Sequence, residues 1–148
     1  MTLVENRMAY ANYEILEELE AGIELAGFEV KSVKNKQGSL KGAYVSIRND
    51  EVFLIGAHIP PYQAGNTPTS YDSYHARKLL LTKHEIKNLI GTGKQKGLTI
   101  VPLSMYNKRG KIKVAIAIVR SRKKHDKREV IKKREADRDI LRTLKTGQ

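Results

Sequence analysis

The run YEILEELEAGIEL at residues 13–25 decides the fold. Its glutamates suggest a helix until the positions are separated by parity. Odd positions carry Tyr13, Ile15, Glu17, Leu19, Ala21, Ile23 and Leu25; even positions carry Glu14, Leu16, Glu18, Glu20, Gly22 and Glu24. Only Leu16 and Glu17 break a period of two, so the spacing predicts a long strand with one acidic face. Gly22 within it predicts a bulge or a tight bend. Beyond it, Ala26, Val30 and Val33 recur at helical spacing, which predicts a short helix through GFEVKSVK ending before Gly38.

Further along, YVSIR and EVFLI flank Asn49-Asp50, a pair suited to a tight hairpin turn. Residues 58–74 form a punctuated loop holding Pro60, Pro61 and Pro68 with Tyr62, Tyr71 and Tyr74. RKLLL at 77–81 predicts a short strand. Thr82-Lys83-His84-Glu85 is a capping box, followed by an apolar stripe of Ile86, Leu89 and Ile90 that Gly91 is expected to stop. Residues 98–106 and 111–119 read as two strands joined by Asn107-Lys108-Arg109-Gly110. Ile112, Val114, Ile116 and Ile118 share one face of the second, and Pro102 predicts an edge or bulge in the first. Six strand candidates and two to three helices that do not alternate regularly favour a mainly β fold. The expected form is a closed antiparallel barrel like the five-stranded oligonucleotide-binding (OB) fold, with additions. No internal repeat or low-complexity segment occurs.

Residues 120–148 hold twelve of the 28 Lys and Arg side chains against five acids, a balance of +7, while residues 1–119 supply the remaining +5 of the net +12. The expected organisation is therefore a barrel over 1–119 and a basic tail over 120–148. About 119 residues bury roughly two thirds of their unfolded surface, enough for a core. The tail has too few apolar residues to offset its ordering entropy and is expected to be disordered alone. Asp126 as N-cap, Glu129 three residues on, and the Glu129–Lys133 pair make it a latent helix that a polyanion would complete.

A charge of this size makes nucleic acid the leading partner and an anionic membrane surface the lesser one. With no Cys there is no disulfide scaffold, thiolate metal site or Cys nucleophile. No apolar run approaches eighteen residues and the N-terminus lacks a signal pattern, so a soluble, cytoplasmic protein is expected. His58, His75, His84 and His125 show no metal-ligand spacing, and no glycine-rich loop opens a helix; neither catalysis, metal nor cofactor is expected.

EAGIELAGFEVKSVK, then RKLLL before the second helix, then KKHDKR before an Ile-Lys-Lys-Arg-Glu run, resemble the SmpB family, the SsrA-binding proteins of bacteria. The resemblance runs from about Glu5 to the C-terminus. It implies an OB-type barrel with a basic tail. The implied role is to bind the tRNA-like domain of transfer-messenger RNA (tmRNA) and deliver it to stalled ribosomes for trans-translation. Implied partners are tmRNA and the ribosome, with elongation factor Tu and alanyl-tRNA synthetase engaged indirectly through charged tmRNA, and the protein acting as a monomer.

Arg77 and Lys78, beside the apolar LLL run, are expected at a strand end where a phosphate is in reach. By the resemblance, Glu20 and Leu80 lie on the face that meets RNA. Asn6 and Arg7 match the family's N-terminal Asn-basic pair, and Thr82 stands where the family often carries Asn. In the tail, the resemblance implies a helix in the empty messenger channel. Lys127, Arg128, Lys132, Lys133 and Arg134 would pair with ribosomal RNA phosphates. His125, beside the N-cap Asp126, is positioned to stack on a decoding-centre base, and Ile140 belongs to a weak apolar stripe. Rival readings are a constitutive ribosomal protein that stabilises ribosomal RNA, and a membrane-surface binder. A peptide spanning residues 120–148 is expected to show little helix by circular dichroism in dilute buffer and to gain helix when a polyanion is added.

Overall fold

The computed structural model describes residues 2–62 and 67–122. In chain order the elements are β1 (Thr2–Glu5), α1 (Arg7–Asn12), β2 (Tyr13–Ile23), α2 (Gly27–Lys34), β3 (Tyr44–Arg48), β4 (Glu51–Ile55), β5 (Arg77–Leu80), α3 (Lys83–Gly93), β6 (Leu98–Lys108) and β7 (Lys111–Ser121). The strands form one antiparallel sheet in the order β1-β6-β7-β2-β5-β4-β3.

The expected closed barrel of about six strands is corrected on two points. There are seven strands, because four-residue β1 is too short to show a period. The sheet is also open, with β1 and β3 as its edges. β3 curls back toward β6, but the seam between them is a cavity of about 430 Å³ lined by Val45, Ile47, Leu98 and Ile100 with Ile90 of α3 and Lys94 just past its end. The cavity separates β3 from the start of β6, and the two strands exchange no ladder hydrogen bonds there.

The strand 13–23 contains a bulge, although not at Gly22. Its register against β7 slips between Ile15 and Glu17, so the extra residue is Leu16. That slip is the physical meaning of the parity break, since one added residue sends every later side chain to the opposite face. Before it, Tyr13 and Ile15 pack with Ala9, Val101, Leu103 and Val119 under α1; after it, Leu19 and Ile23 pack into the main core. Gly22 has a different job. A Cβ there would lie 3.1 Å from the Cβ of Leu80, so glycine allows β5 to approach closely. In β6 a second slip falls between Pro102 and Ser104, as the proline predicts.

The hairpin β3–β4 turns on Asn49 (φ 50°) and Asp50 (φ 62°), both left-handed, as a two-residue primed turn requires. Thr82 caps α3: its Oγ1 accepts the Glu85 N–H at 3.2 Å, and Glu85 Oε1 accepts the Thr82 N–H at 2.9 Å. The helix passes Gly91 and ends after Gly93, which corrects the expected stop. Glycine in a helix costs only about 1 kcal/mol, and buried Thr92 holds the last turn by donating to Asn88 O. β6 and β7 also run two residues past their expected ends.

The main core lies between the inner face of the curled sheet and helices α2 and α3, around Val33, Leu54, Leu89, Val114 and Ile116. Ile116→Ala removes a fully buried side chain and is expected to cost about 2–5 kcal/mol in urea unfolding. Leu16→Ala, at a residue 43% exposed, is expected to cost under about 0.5 kcal/mol.

Candidate nucleic-acid interface

β5 is four residues long and alternates strictly, with Arg77 and Leu79 inward and Lys78 and Leu80 outward. The inward Arg77 is 1% exposed, which corrects the expectation that it meets a phosphate. All five of its N–H donors are used. Nε donates to Glu29 Oε2 at 2.7 Å, Nη1 to Ala57 O and His75 O, and Nη2 to Tyr71 OH and Ser73 O. A cation beside an LLL run sits on a strand, and strand parity placed this one inside.

Its partner Glu29, 2% exposed, is the third residue of α2 and also accepts the Ala26 N–H at 2.9 Å, so it caps the helix and neutralises the arginine together. Burial alone would raise the Glu29 carboxyl; the Ala26 N–H, the Arg77 guanidinium and the His75 ring outweigh it and hold the group below its ordinary value. Tyr71 donates to Ile59 O at 2.6 Å and meets Phe28 of α2 edge to face, 4.8 Å between centroids. The loop after β4 is thereby fastened to α2 and β5.

The outward face of β5 continues onto β2 and β7. Gly22 stands opposite both Leu80 and Lys113, and Glu20 opposite Ala115. Leu80 is 48% exposed and rests on Gly22. Lys78 is half-exposed, with its Nζ 3.9 Å from Glu51, a loose surface pair. Glu20 is held by the β6–β7 hairpin: Tyr106 OH donates to its Oε2 at 2.5 Å and Lys108 Nζ lies 3.2 Å away. The Tyr106 hydroxyl and the Lys108 ammonium keep the Glu20 carboxyl low. Burial and the adjacent carboxylate push the Tyr106 hydroxyl up to about 12. Hairpin residues Tyr106, Lys108 and Lys113 were not singled out from the sequence; the register that brings them to Glu20 was the missing signal.

The other expected residues fall into three groups. Asn6 is buried and committed to β6, its Nδ2 donating to Pro102 O and its N–H to Leu103 O, both at 2.8 Å. Arg7 opens α1 and is exposed; Thr82 is exposed and occupied as the α3 cap. His125, Asp126, Lys127, Arg128, Lys132, Lys133, Arg134 and Ile140 lie outside the described residues. Among the described residues no cluster of His, Asp and Glu is placed to hold a metal ion, and no helix is long and apolar enough to cross a membrane.

A curved antiparallel sheet presenting an exposed leucine among lysines defines a class: small basic β proteins with an outer face suited to a polyanion. Comparison places the chain within that class. Residues 3–146 match the model of the SmpB protein family, and the chain belongs to that family. It is 48% identical over 143 residues to the SsrA-binding protein of Trichormus variabilis, covering 97% of this chain and 92% of the relative. The SsrA-binding protein of Burkholderia lata is 44% identical over 147 residues, covering 99% of each. A solved structure described as "tmRNA-SmpB: a journey to the center of the bacterial ribosome" superposes with a TM-score of 0.67 at 41% identity, covering 86% of this chain and 92% of that one.

Arg77→Ala is expected to cost about 3–5 kcal/mol in urea unfolding at neutral pH, because it leaves Glu29 buried and unpaired. Arg77→Lys is expected to recover little, since an ammonium has three donors for five acceptors. Because the folded Glu29 carboxyl is held below its unfolded value near 4.5, its contribution is present above that pH and is lost as pH falls through the lowered folded value. Glu29→Gln is therefore expected to flatten the acid limb of stability against pH.

Proposed function

We propose that this chain binds SsrA RNA (tmRNA) and acts with it on the bacterial ribosome in trans-translation. Leu80 is the observation that carries the reading. A half-exposed leucine on the outer sheet, seated on Gly22 and flanked by Lys78 and Lys113, is left uncovered by the described residues. It is also the residue that the family resemblance assigns to the RNA face. Lys78, Lys108 and Lys113 supply cations for phosphates, and Glu20 accepts from a base amino group or a 2′-hydroxyl. Its retention as an anion by Tyr106 and Lys108 favours acceptance over protonation.

In this reading Arg7 also contacts RNA, while Asn6, Arg77 and Thr82 position the elements that do. The tail beyond Arg122 is helical in the messenger channel, with His125 at the decoding centre and Lys127, Arg128, Lys132, Lys133 and Arg134 on phosphates. Asp126 caps that helix and Ile140 seats its apolar stripe. Elongation factor Tu and alanyl-tRNA synthetase meet the protein through charged tmRNA, in the cytoplasm where ribosomes work. No observation favours the constitutive ribosomal reading.

Truncation after Arg122 spares the bond from Arg122 Nε to Tyr13 O and all of β7. The truncated protein is expected to bind tmRNA within about three-fold of the intact chain and to lose tagging on stalled ribosomes. Normal tagging would remove the tail from the mechanism. Loss of tmRNA binding with the fold intact would move the RNA site off the sheet.

A further inference from the structure

We propose that a pocket on the outer face of the β3–β4 hairpin is a subsite for one unstacked RNA base, with guanine preferred; this rests on the RNA-binding reading above and extends it by two strands. Phe53 stands directly opposite Lys78, and Leu54 opposite Arg77. Directly opposed residues share a face, so Phe53 lies on the same outward surface as Lys78 and Leu80. The chain thus presents Leu80, Lys78 and Phe53 as neighbours, an apolar and cationic surface that continues past β5 instead of ending there.

Phe53 lines an open pocket of about 270 Å³ together with Arg48, Asn49, Glu51, Ile55 and Ala76. The volume suits one base, and is small for a helix or an apolar side-chain cluster from a protein. Its chemistry is mixed in a particular way. Phe53 and Ile55 offer apolar surface for stacking, which any base satisfies. The rim adds a carboxylate (Glu51), an amide (Asn49) and a guanidinium (Arg48). Among the described residues no carboxylate lies within ion-pair distance of Arg48, and Glu51 has only the 3.9 Å contact with Lys78. A carboxylate takes two parallel hydrogen bonds from the N1–H and N2–H of guanine, while a guanidinium donates to its O6 and N7. Adenine has one amino group and no imino proton, and uracil has no amino group, so each leaves part of the rim unpaired. Asp50 and Glu51 at the turn also repel a phosphate, so the pocket selects a base over a backbone group, and Lys78 takes the adjoining phosphate.

The test uses the full chain and three pentaribonucleotides, UUGUU, UUAUU and UUUUU, followed by fluorescence anisotropy and by NMR of the Phe53 ring. UUGUU is expected to shift the Phe53 signals and to bind about ten-fold tighter than UUUUU. Phe53→Ala is expected to bind UUGUU about ten-fold more weakly, with Phe53→Tyr close to wild type. Glu51→Gln should lose the preference for guanine while keeping affinity for UUAUU, a result that a folding defect would not produce. Chemical footprinting of guanines on tmRNA and on ribosomes, wild type against Phe53→Ala, identifies the source as the RNA whose guanine loses protection. Unmoved Phe53 signals with all three oligomers, equal affinities, or no guanine released by Phe53→Ala would overturn the subsite. If those failures occur while wild type still binds tmRNA, the RNA-binding reading stands; if wild type binds no tmRNA, both fall.

Discussion

The structure depends on one buried ion pair. Glu29 and Arg77 are 48 residues apart in sequence and nearly inaccessible, and between them they join α2, the loop following β4, and β5. A buried pair of this kind is costly to assemble, because both charges leave water. Here the cost is offset by complete satisfaction: the guanidinium spends every donor, and the carboxylate gains the helix N-terminal amide of Ala26 as well. A half-satisfied version would be worse than an apolar core, so the network is all or nothing. Its consequence is positional. With Arg77 locked inward, strand alternation obliges Lys78 and Leu80 to face outward, beside Gly22 and Glu20.

A second constraint sets what surrounds that face. The extra residue at Leu16 lets one strand serve two cores, turning Tyr13 and Ile15 toward α1 and Leu19 and Ile23 toward the main core. Without the slip, Glu18 and Glu20 would be carried into the apolar interior. The bulge therefore keeps Glu20 on the outer surface, where the β6–β7 hairpin meets it with a phenol and an ammonium. The interface is thus made by three distant segments whose only common instruction is register.

This explains which features could be read from the chain alone. Features encoded within a few residues were legible: the Asn49-Asp50 turn, the Thr82–Glu85 cap, the limits of α2, and the irregularity announced by Pro102. The parity break at Leu16 and Glu17 is visible too, but reading it as a bulge needs the partner strand; from the sequence alone, a bulge or bend is expected at Gly22. Glu29 resembled an ordinary helix-start glutamate and Arg77 an ordinary surface cation. Nothing local distinguishes a paired buried charge from a solvated one; only the fold brings them to 2.7 Å. Closure of the sheet was misread for a similar reason. Strand count is local, whereas the cavity that separates β3 from β6 is not.

In the proposed RNA interface Arg77 serves from inside, by orienting the neighbours that make contact. An NMR titration of the full chain with tmRNA, following the Arg77 Nε–H and the Leu80 methyl groups together, tests it most directly. Large shifts are expected at Leu80 while the Arg77 Nε–H stays in place and protected from solvent exchange. A shifted, newly exchanging Arg77 signal beside unmoved Leu80 methyls would contradict it.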